Sequence, residues 1–186
     1  VYCDTVNKTF FCYGGTSKAN NRSLIHMVSY YDHEKKVVPR PTILLDKKTG
    51  DAHDNPVISV DAKGHIWVFS TSHGTDRPSY IHRSRKPYNI DAFELVPATR
   101  LQDGNQVAIN NFSYFQAWHL PQKGFVCFFT KYGWGADGAL AFITSSDLPL
   151  IPLCRCRRYA VLNFRRSLSH QKKKKSHHEE RVQTSL

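Results

Sequence analysis

Two histidines, His53 and His73, bracket a pair of short apolar runs joined by the polar turn Asp61-Ala62-Lys63-Gly64. His53 precedes the first run and His73 follows the second, so an antiparallel hairpin carries both imidazoles to one end of the sheet. Asn55, Arg77 and Tyr80 fall on the same rim. Imidazoles placed this way can take up or deliver a proton near neutral pH. A guanidinium beside them can grip a carboxylate or sulfate through two parallel hydrogen bonds. His53 also stands before Asp54-Asn55-Pro56, a turn-forming sequence in which it could simply cap the chain. Two histidines are short of a zinc site, which needs a third ligand that the spacing does not reveal, so no metal or other cofactor is assigned beyond an open structural role.

The elements that must hold these residues read as strands. Short β-branched and aromatic runs cover Thr9 to Tyr13, Leu24 to Tyr31, Val57 to Val60, Ile66 to Thr71, Ser79 to Arg83, Phe93 to Val96, Ser113 to Leu120, Phe125 to Tyr132 and Ala139 to Thr144. No window carries a helical stripe. Asp61 to Gly64 and Pro121-Gln122-Lys123-Gly124 both end in glycine, as a hairpin that needs a positive φ requires. Successive hairpins of this kind, with similar units near 57–70 and 113–130, predict four-stranded sheets repeated along the chain. At roughly 40 to 50 residues per blade, the body holds about three. Trp67 and Phe69 read as core, while Trp118 and Trp134 could equally be stacking platforms for sugars.

The formal charge of +11 invites a nucleic-acid reading, but its distribution argues against one. From Arg155 onward ten lysines and arginines, including Lys172 to Lys175, face only Glu179 and Glu180; the body carries 16 basic against 13 acidic residues. A near-neutral body lacks the basic face that displaces counterions from phosphate. After Asp147 the pattern breaks, and 148–186 reads as a basic tail of low order, flexible or out of frame. Neither nucleic acid nor membrane is expected as a partner. No run approaches the roughly 18 apolar residues of a bilayer span, and the start shows no signal-peptide pattern. Five cysteines, Cys3, Cys12, Cys127, Cys154 and Cys156, have no C-x-x-C spacing. Cys12 and Cys127 lie in apolar runs and read as buried thiols. N-x-S/T triplets begin at Asn7, Asn21 and Asn111 and carry little weight.

The stretch from Asp51 through His53-Asp54-Asn55-Pro56, the Asp61 to Gly64 turn, Trp67, His73-Gly74 and on to Arg77, Tyr80 and Ser84 resembles the BNR-repeat, sialidase-like β-propellers, whose members include ulvan lyases and rhamnose-glucuronate lyases. The resemblance runs from about Thr9 to Asp147. Ser59-x-Asp61-x-x-Gly64-x-x-Trp67 is close to an Asp-box with one residue more before the glycine, and Phe112-Ser113-Tyr114-Phe115 stands where the family has a Thr/Ser-Tyr-Pro segment. The resemblance implies an all-β, partial β-propeller fold: about three four-stranded blades of a seven-bladed ring at 1–147, with an irregular C-terminal tail. It implies His53 and His73 as base or acid, Tyr114 as a shared acid/base, and Asn55, Arg77, Tyr80 and Lys131 as substrate contacts. Lys131 follows Thr130 where lyase-like members often carry arginine, and a point charge replaces a planar fork.

The expected partner is therefore an acidic polysaccharide, cleaved by β-elimination beside a uronate carboxylate. Such a reaction needs a base, donors that stabilise the enediolate, and an acid for the leaving oxygen. Two alternatives stay open. A sialidase-type hydrolase would want a carboxylate pair, for which Asp51, Asp54 and Asp76 are the ones near the histidines; a glycan-binding propeller would need no chemistry. The family points to a secreted, periplasmic or cell-surface location. Open sheet edges in an incomplete ring predict self-association.

Overall fold

The structure, a computed structural model, describes residues 1–19, 22–102, 105–133, 139–145 and 154–162, and of 100–102, 139 and 154–162 the backbone only. Trp134, Asn21 and the tail outside 154–162 lie beyond the described residues. Apart from a 3-10 turn at Asp4–Val6, the regular elements are strands. The first sheet runs β1 (Tyr2–Cys3), β2 (Lys8–Gly15), β3 (Ile25–Asp32), β4 (Thr42–Asp46); the second runs β5 (Pro56–Val60), β6 (Ile66–Ser70), β7 (Tyr80–Ser84), β8 (Phe93–Leu95). Each is an antiparallel meander of four strands in chain order, which is the blade expected from the hairpin spacing. The third sheet is built on β11 (Ser113–Leu120), β12 (Gly124–Lys131), β13 (Ala139–Ser145) and β14 (Cys154–Leu162), again antiparallel neighbours. It is extended by the hairpin β9 (Ala98–Gln102) and β10 (Asn105–Ala108), with β9 parallel to β14. All nine predicted runs are strands, with ends shifted by no more than two residues.

The sheets stack face to face, and the second is the middle layer. On β6, Ile66 and Val68 turn toward the first sheet and join Phe10, Val28 and Ile90; Trp67 and Phe69 turn the other way and join Phe112, Phe115, Phe125, Phe129 and Ile143. A strand buried on both faces reads as an unbroken apolar run, and this is why Ile66-Trp-Val-Phe69 shows no polar alternation. The second seam is rich in phenylalanine, with Phe69 against Phe115 at 4.7 Å and Phe112 against Phe115 at 4.6 Å between ring centroids. Trp67 packs edge-on to Phe125 at 5.2 Å and is a core residue, as its strand position predicts. Trp118 is half exposed, 5.9 Å from Phe128.

The Asp61 to Gly64 turn is knit by one side chain. Asp61 Oδ1 accepts from the amides of Lys63 and His65, both at 2.9 Å, and Oδ2 accepts from Trp67 Nε1 at 2.9 Å. Gly64 has φ of +84° and lies under the ring of Tyr88, which a Cβ at this position would strike. Gly64→Ala should therefore destabilise the fold by about 2–4 kcal/mol, from a left-handed backbone and an overpacked contact together. Urea denaturation checks it: in a Tyr88→Ala background the additional loss on Gly64→Ala should fall to about 1 kcal/mol, the backbone part alone. An undiminished loss there would remove the steric half of the explanation.

Five strands escape the sequence reading: β1, β4, β9, β10 and β14. β4 is an edge strand that follows two prolines; Leu44 and Leu45 are half-buried and Ile43 is exposed. β14 falls inside 148–186, where the sequence reading expects no order, and here the structure departs from it. Cys154-Arg-Cys-Arg alternates in period two over its first four positions, and β13 offers an open backbone edge that β14 pairs from Leu140 to Ser145. Cys3 and Cys12 are free thiols, and burial pushes Cys12 up to about 12; Cys127 is buried, as its apolar run predicts. The triplet at Asn111 is sealed, since Phe112 and Ser113 are buried.

Candidate active site: one carboxylate between two imidazoles

The site sits where the loops at one end of the sheets converge. The segment entering β5 carries Asp51, His53, Asp54 and Asn55; the end of β6 carries His73; the start of β11 carries Tyr114. Backbone bonds stitch these loops across the sheets. Thr71 Oγ1 donates to the Asn55 carbonyl at 2.6 Å, the Ser72 amide donates to the Phe112 carbonyl at 3.1 Å, and the Ser113 hydroxyl donates to the Ser72 carbonyl. Groups on three loops are thus held by a hydrogen-bonded frame, which is what a preorganised site needs.

Asp51 is the hinge of the arrangement. Its Oδ1 accepts from the His53 amide at 3.0 Å and from His53 Nδ1 at 2.7 Å; its Oδ2 accepts from His73 Nδ1 at 3.1 Å and Arg77 Nη2 at 3.3 Å. The His53 amide and then the two imidazoles hold this carboxyl down to about 2, against partial desolvation that would raise it. An ionised carboxylate only accepts, so both Nδ1 atoms carry protons, and in the neutral rings both Nε2 atoms are left with lone pairs. The rings lie 4.7 Å apart, tilted by 32°. One side chain thus fixes the tautomer of two potential bases.

Beneath it lies a buried ion cluster. Asp54 is fully buried and accepts from Arg77 Nε at 3.0 Å and Nη2 at 3.2 Å and from the His73 amide at 2.7 Å, with Lys47 Nζ at 3.6 Å. Burial pushes the Asp54 pKa upward, but Arg77, the His73 amide and Lys47 outweigh it and hold it below the usual carboxylate range. Lys47, itself buried, also donates to Ser72 Oγ and to the Pro78 carbonyl at 2.9 Å. His26, reaching in from the first sheet, donates from Nε2 to the Asp54 carbonyl at 2.6 Å and accepts at Nδ1 from Ser70 Oγ at 2.9 Å. Burial keeps it neutral and lowers its pKa to about 4.

That shift predicts an acid sensitivity. The unfolded chain takes up a proton near pH 6.5 that the folded state refuses until about 4, so folding loses stability as pH falls through that window. The loss should reach on the order of 3 kcal/mol at its lower end. His26→Gln should flatten most of the slope between pH 6.5 and 4 in urea titrations, leaving the smaller share of His82, which burial lowers too. A slope unchanged by the substitution would assign it elsewhere.

Tyr114 completes the site from the third sheet. It occupies a β-bulge between Ser113 and Gln116, where the β11–β12 register slips, and its φ is +48°. A bulge re-aims a side chain. Here it leaves the tyrosine half exposed, with its ring 6.0 Å from His53 and 5.8 Å from His73. Tyr132, just past β12, lies edge-on to His73 at 5.3 Å and close to the Tyr114 side chain. Partial burial first, and the Tyr114 side chain second, raise its pKa.

The structure thus gathers His53, His73 and Tyr114 into one cluster, with Arg77 joined through Asp51. Arg77 turns Nε and Nη2 inward onto Asp51 and Asp54, where a substrate contact would need them free. Asn55 is exposed and its Nδ2 donates to the Ala52 carbonyl. Tyr80 faces Lys47, whose Nζ is 5.6 Å from its ring centre, and Lys131 ends β12 one residue before Tyr132. Sequence reasoning passed over Tyr132, Lys47 and His26 and gave Asp51 no role toward the histidines. For Asp51 a signal existed: an aspartate two residues before a histidine is the spacing of an Asx-turn, which returns its carboxylate to the following amide.

No family model and no curated protein matches this sequence. Among solved structures, a polysaccharide lyase described as an ulvan lyase of a new family, PL25, superposes with a TM-score of 0.59 at 17% identity, over 83% of this chain and 38% of that one. The chain spans about two fifths of that enzyme's length. At this identity the likeness speaks for the fold, and the chain is an all-β protein whose blade-like sheets are similar to part of a polysaccharide lyase.

Proposed function

We propose that the chain carries the acid/base centre of a polysaccharide lyase that cleaves uronate-containing glycans by β-elimination. The observation that carries the reading is Asp51, which presents two imidazoles with free Nε2 lone pairs beside the phenol of Tyr114. One imidazole abstracts the proton beside the uronate carboxylate. The electron pair passes through the enediolate and expels the glycosidic oxygen, which Tyr114 protonates. Asn55 and Lys131 are the donors assigned to the carboxylate, and Arg77 is assigned to hold Asp51 in place. The similarity in fold to an ulvan lyase supports the class of substrate. We propose a location outside the cytoplasm, where such a polysaccharide would be met.

The hydrolase reading fares worse on one specific ground. A glycosidase acid needs a carboxyl held protonated by a raised pKa. Asp51 and Asp54 are both lowered and both locked to cations or imidazoles. The test is incubation of the chain with a glucuronate-rhamnose polysaccharide. Elimination yields new chain ends with an ultraviolet-absorbing double bond. New reducing ends without that absorbance would hand the chemistry to hydrolysis, and binding with no product would leave a glycan-binding protein.

A further inference from the structure

Two histidines fall one ligand short of a metal site, and the folded chain brings a third group to them. Asp51, His53 and His73 offer a carboxylate oxygen and two ring nitrogens that all lie within 4.8 Å of one another. We propose that these three residues bind a divalent transition-metal ion, zinc fitting best, through Nδ1 of each histidine and the Asp51 carboxylate. This goes beyond the elimination reading and stands without it.

The donor set selects the ion. Two imidazoles and one carboxylate suit zinc, cobalt or nickel, whereas calcium and magnesium take oxygen ligands. Metal-to-ligand bonds of about 2.0–2.2 Å in a tetrahedron put neighbouring ligand atoms roughly 3.3–3.6 Å apart. Asp51 Oδ1 stands 2.7 Å from His53 Nδ1 and Oδ2 3.1 Å from His73 Nδ1, so an ion needs these pairs to open by about 0.2–0.9 Å. Access is direct, since His53 is 57% exposed, His73 34% and Asp51 26%. Arg77, bonded to Asp51 Oδ2 at 3.3 Å and anchored on Asp54, serves as the outer partner that orients a ligating carboxylate. Three protein ligands leave at least one position for water or an oxygen of a bound anion.

Coordination at Nδ1 moves each ring proton to Nε2. The lone pairs that Asp51 otherwise reserves on Nε2 are then gone, so the metal and a histidine base exclude one another. Zinc should inhibit any elimination activity in proportion to occupancy.

The site is tested without glycan by titrating the full chain with Co(II), followed by d–d absorption and calorimetry, beside His53→Ala, His73→Ala and Asp51→Asn. One site with a nitrogen and oxygen spectrum, weakened at least about tenfold by each substitution, is the expected result. All three positions are at least a quarter exposed, and thermal melts of the metal-free variants establish that they fold. His33→Ala, an exposed histidine bonded to Thr9, controls for adventitious binding and should leave the site intact. Equal binding by parent and variants overturns the proposal. So does a spectrum dominated by thiolate-to-cobalt charge transfer, which places the ion on cysteines. No lyase activity in the metal-free parent, with Co(II) still bound on titration, sinks the elimination reading alone.

Discussion

Asp54→Ala lowers the stability of the fold by about 3–5 kcal/mol, the range expected when one partner of a buried ion pair is removed. Asp54 is the meeting point of two cations, Lys47 and Arg77, neither of which has another carboxylate as close: Arg77 reaches Asp51 only at 3.3 Å through one nitrogen. Without Asp54, Lys47 remains buried, left with the Ser72 hydroxyl, the Pro78 carbonyl and the face of Tyr80. A loss of this size is a large fraction of a domain's total stability. Urea denaturation reads it, and Lys47→Met in the Asp54→Ala background should recover part of it, because one stranded charge goes with it. If Asp54→Ala stays within 1 kcal/mol of the parent, the cluster is not what fixes these loops.

On the proposed elimination, Tyr114→Phe should slow the reaction by about 10²- to 10⁴-fold while leaving glycan binding nearly unchanged. The substitution keeps the ring, its contacts with both imidazoles and its left-handed backbone, and removes the hydroxyl proposed to protonate the leaving oxygen. The fall should appear in kcat with little movement of KM, since the hydroxyl acts on the transition state. Tyr132→Phe, which removes a hydroxyl beside Tyr114 and no reacting group, should cost far less. Equal losses in the two variants would make the pair a structural unit and withdraw the acid role from Tyr114.

Much of the architecture is written in local pattern. The nine runs become strands because turn residues and period-two or fully apolar runs leave no helical alternative. The glycines closing the two named turns have φ of +84° and +82°, as their hairpins demand. What stays hidden is long-range. Nothing around Lys47 marks it as buried, for a lysine just after an edge strand ordinarily reaches solvent; its place depends on loops near 54 and 78 folding over it. His26 likewise reads as an ordinary strand residue until the Asp54 carbonyl, 28 positions away, closes on it. The histidine pair was legible because one hairpin sets it. Asp51 was in view only as half of a carboxylate pair, and its lowered pKa denies it the acid's role in such a pair. Tyr132 was missed because its partner, Tyr114, is delivered by a bulge, and a slip of register leaves no mark in the residues that flank it.

That same bulge bears on how this protein would respond to selection. A left-handed backbone costs a side chain-bearing residue roughly 1–2 kcal/mol that glycine escapes. Any screen that rewards thermal resistance alone should therefore drift toward glycine at position 114, and would discard the phenol in favour of a calmer backbone. A lineage that keeps tyrosine there reveals, through that persistence, pressure on something other than folding. Libraries built on this scaffold should hold Tyr114 fixed.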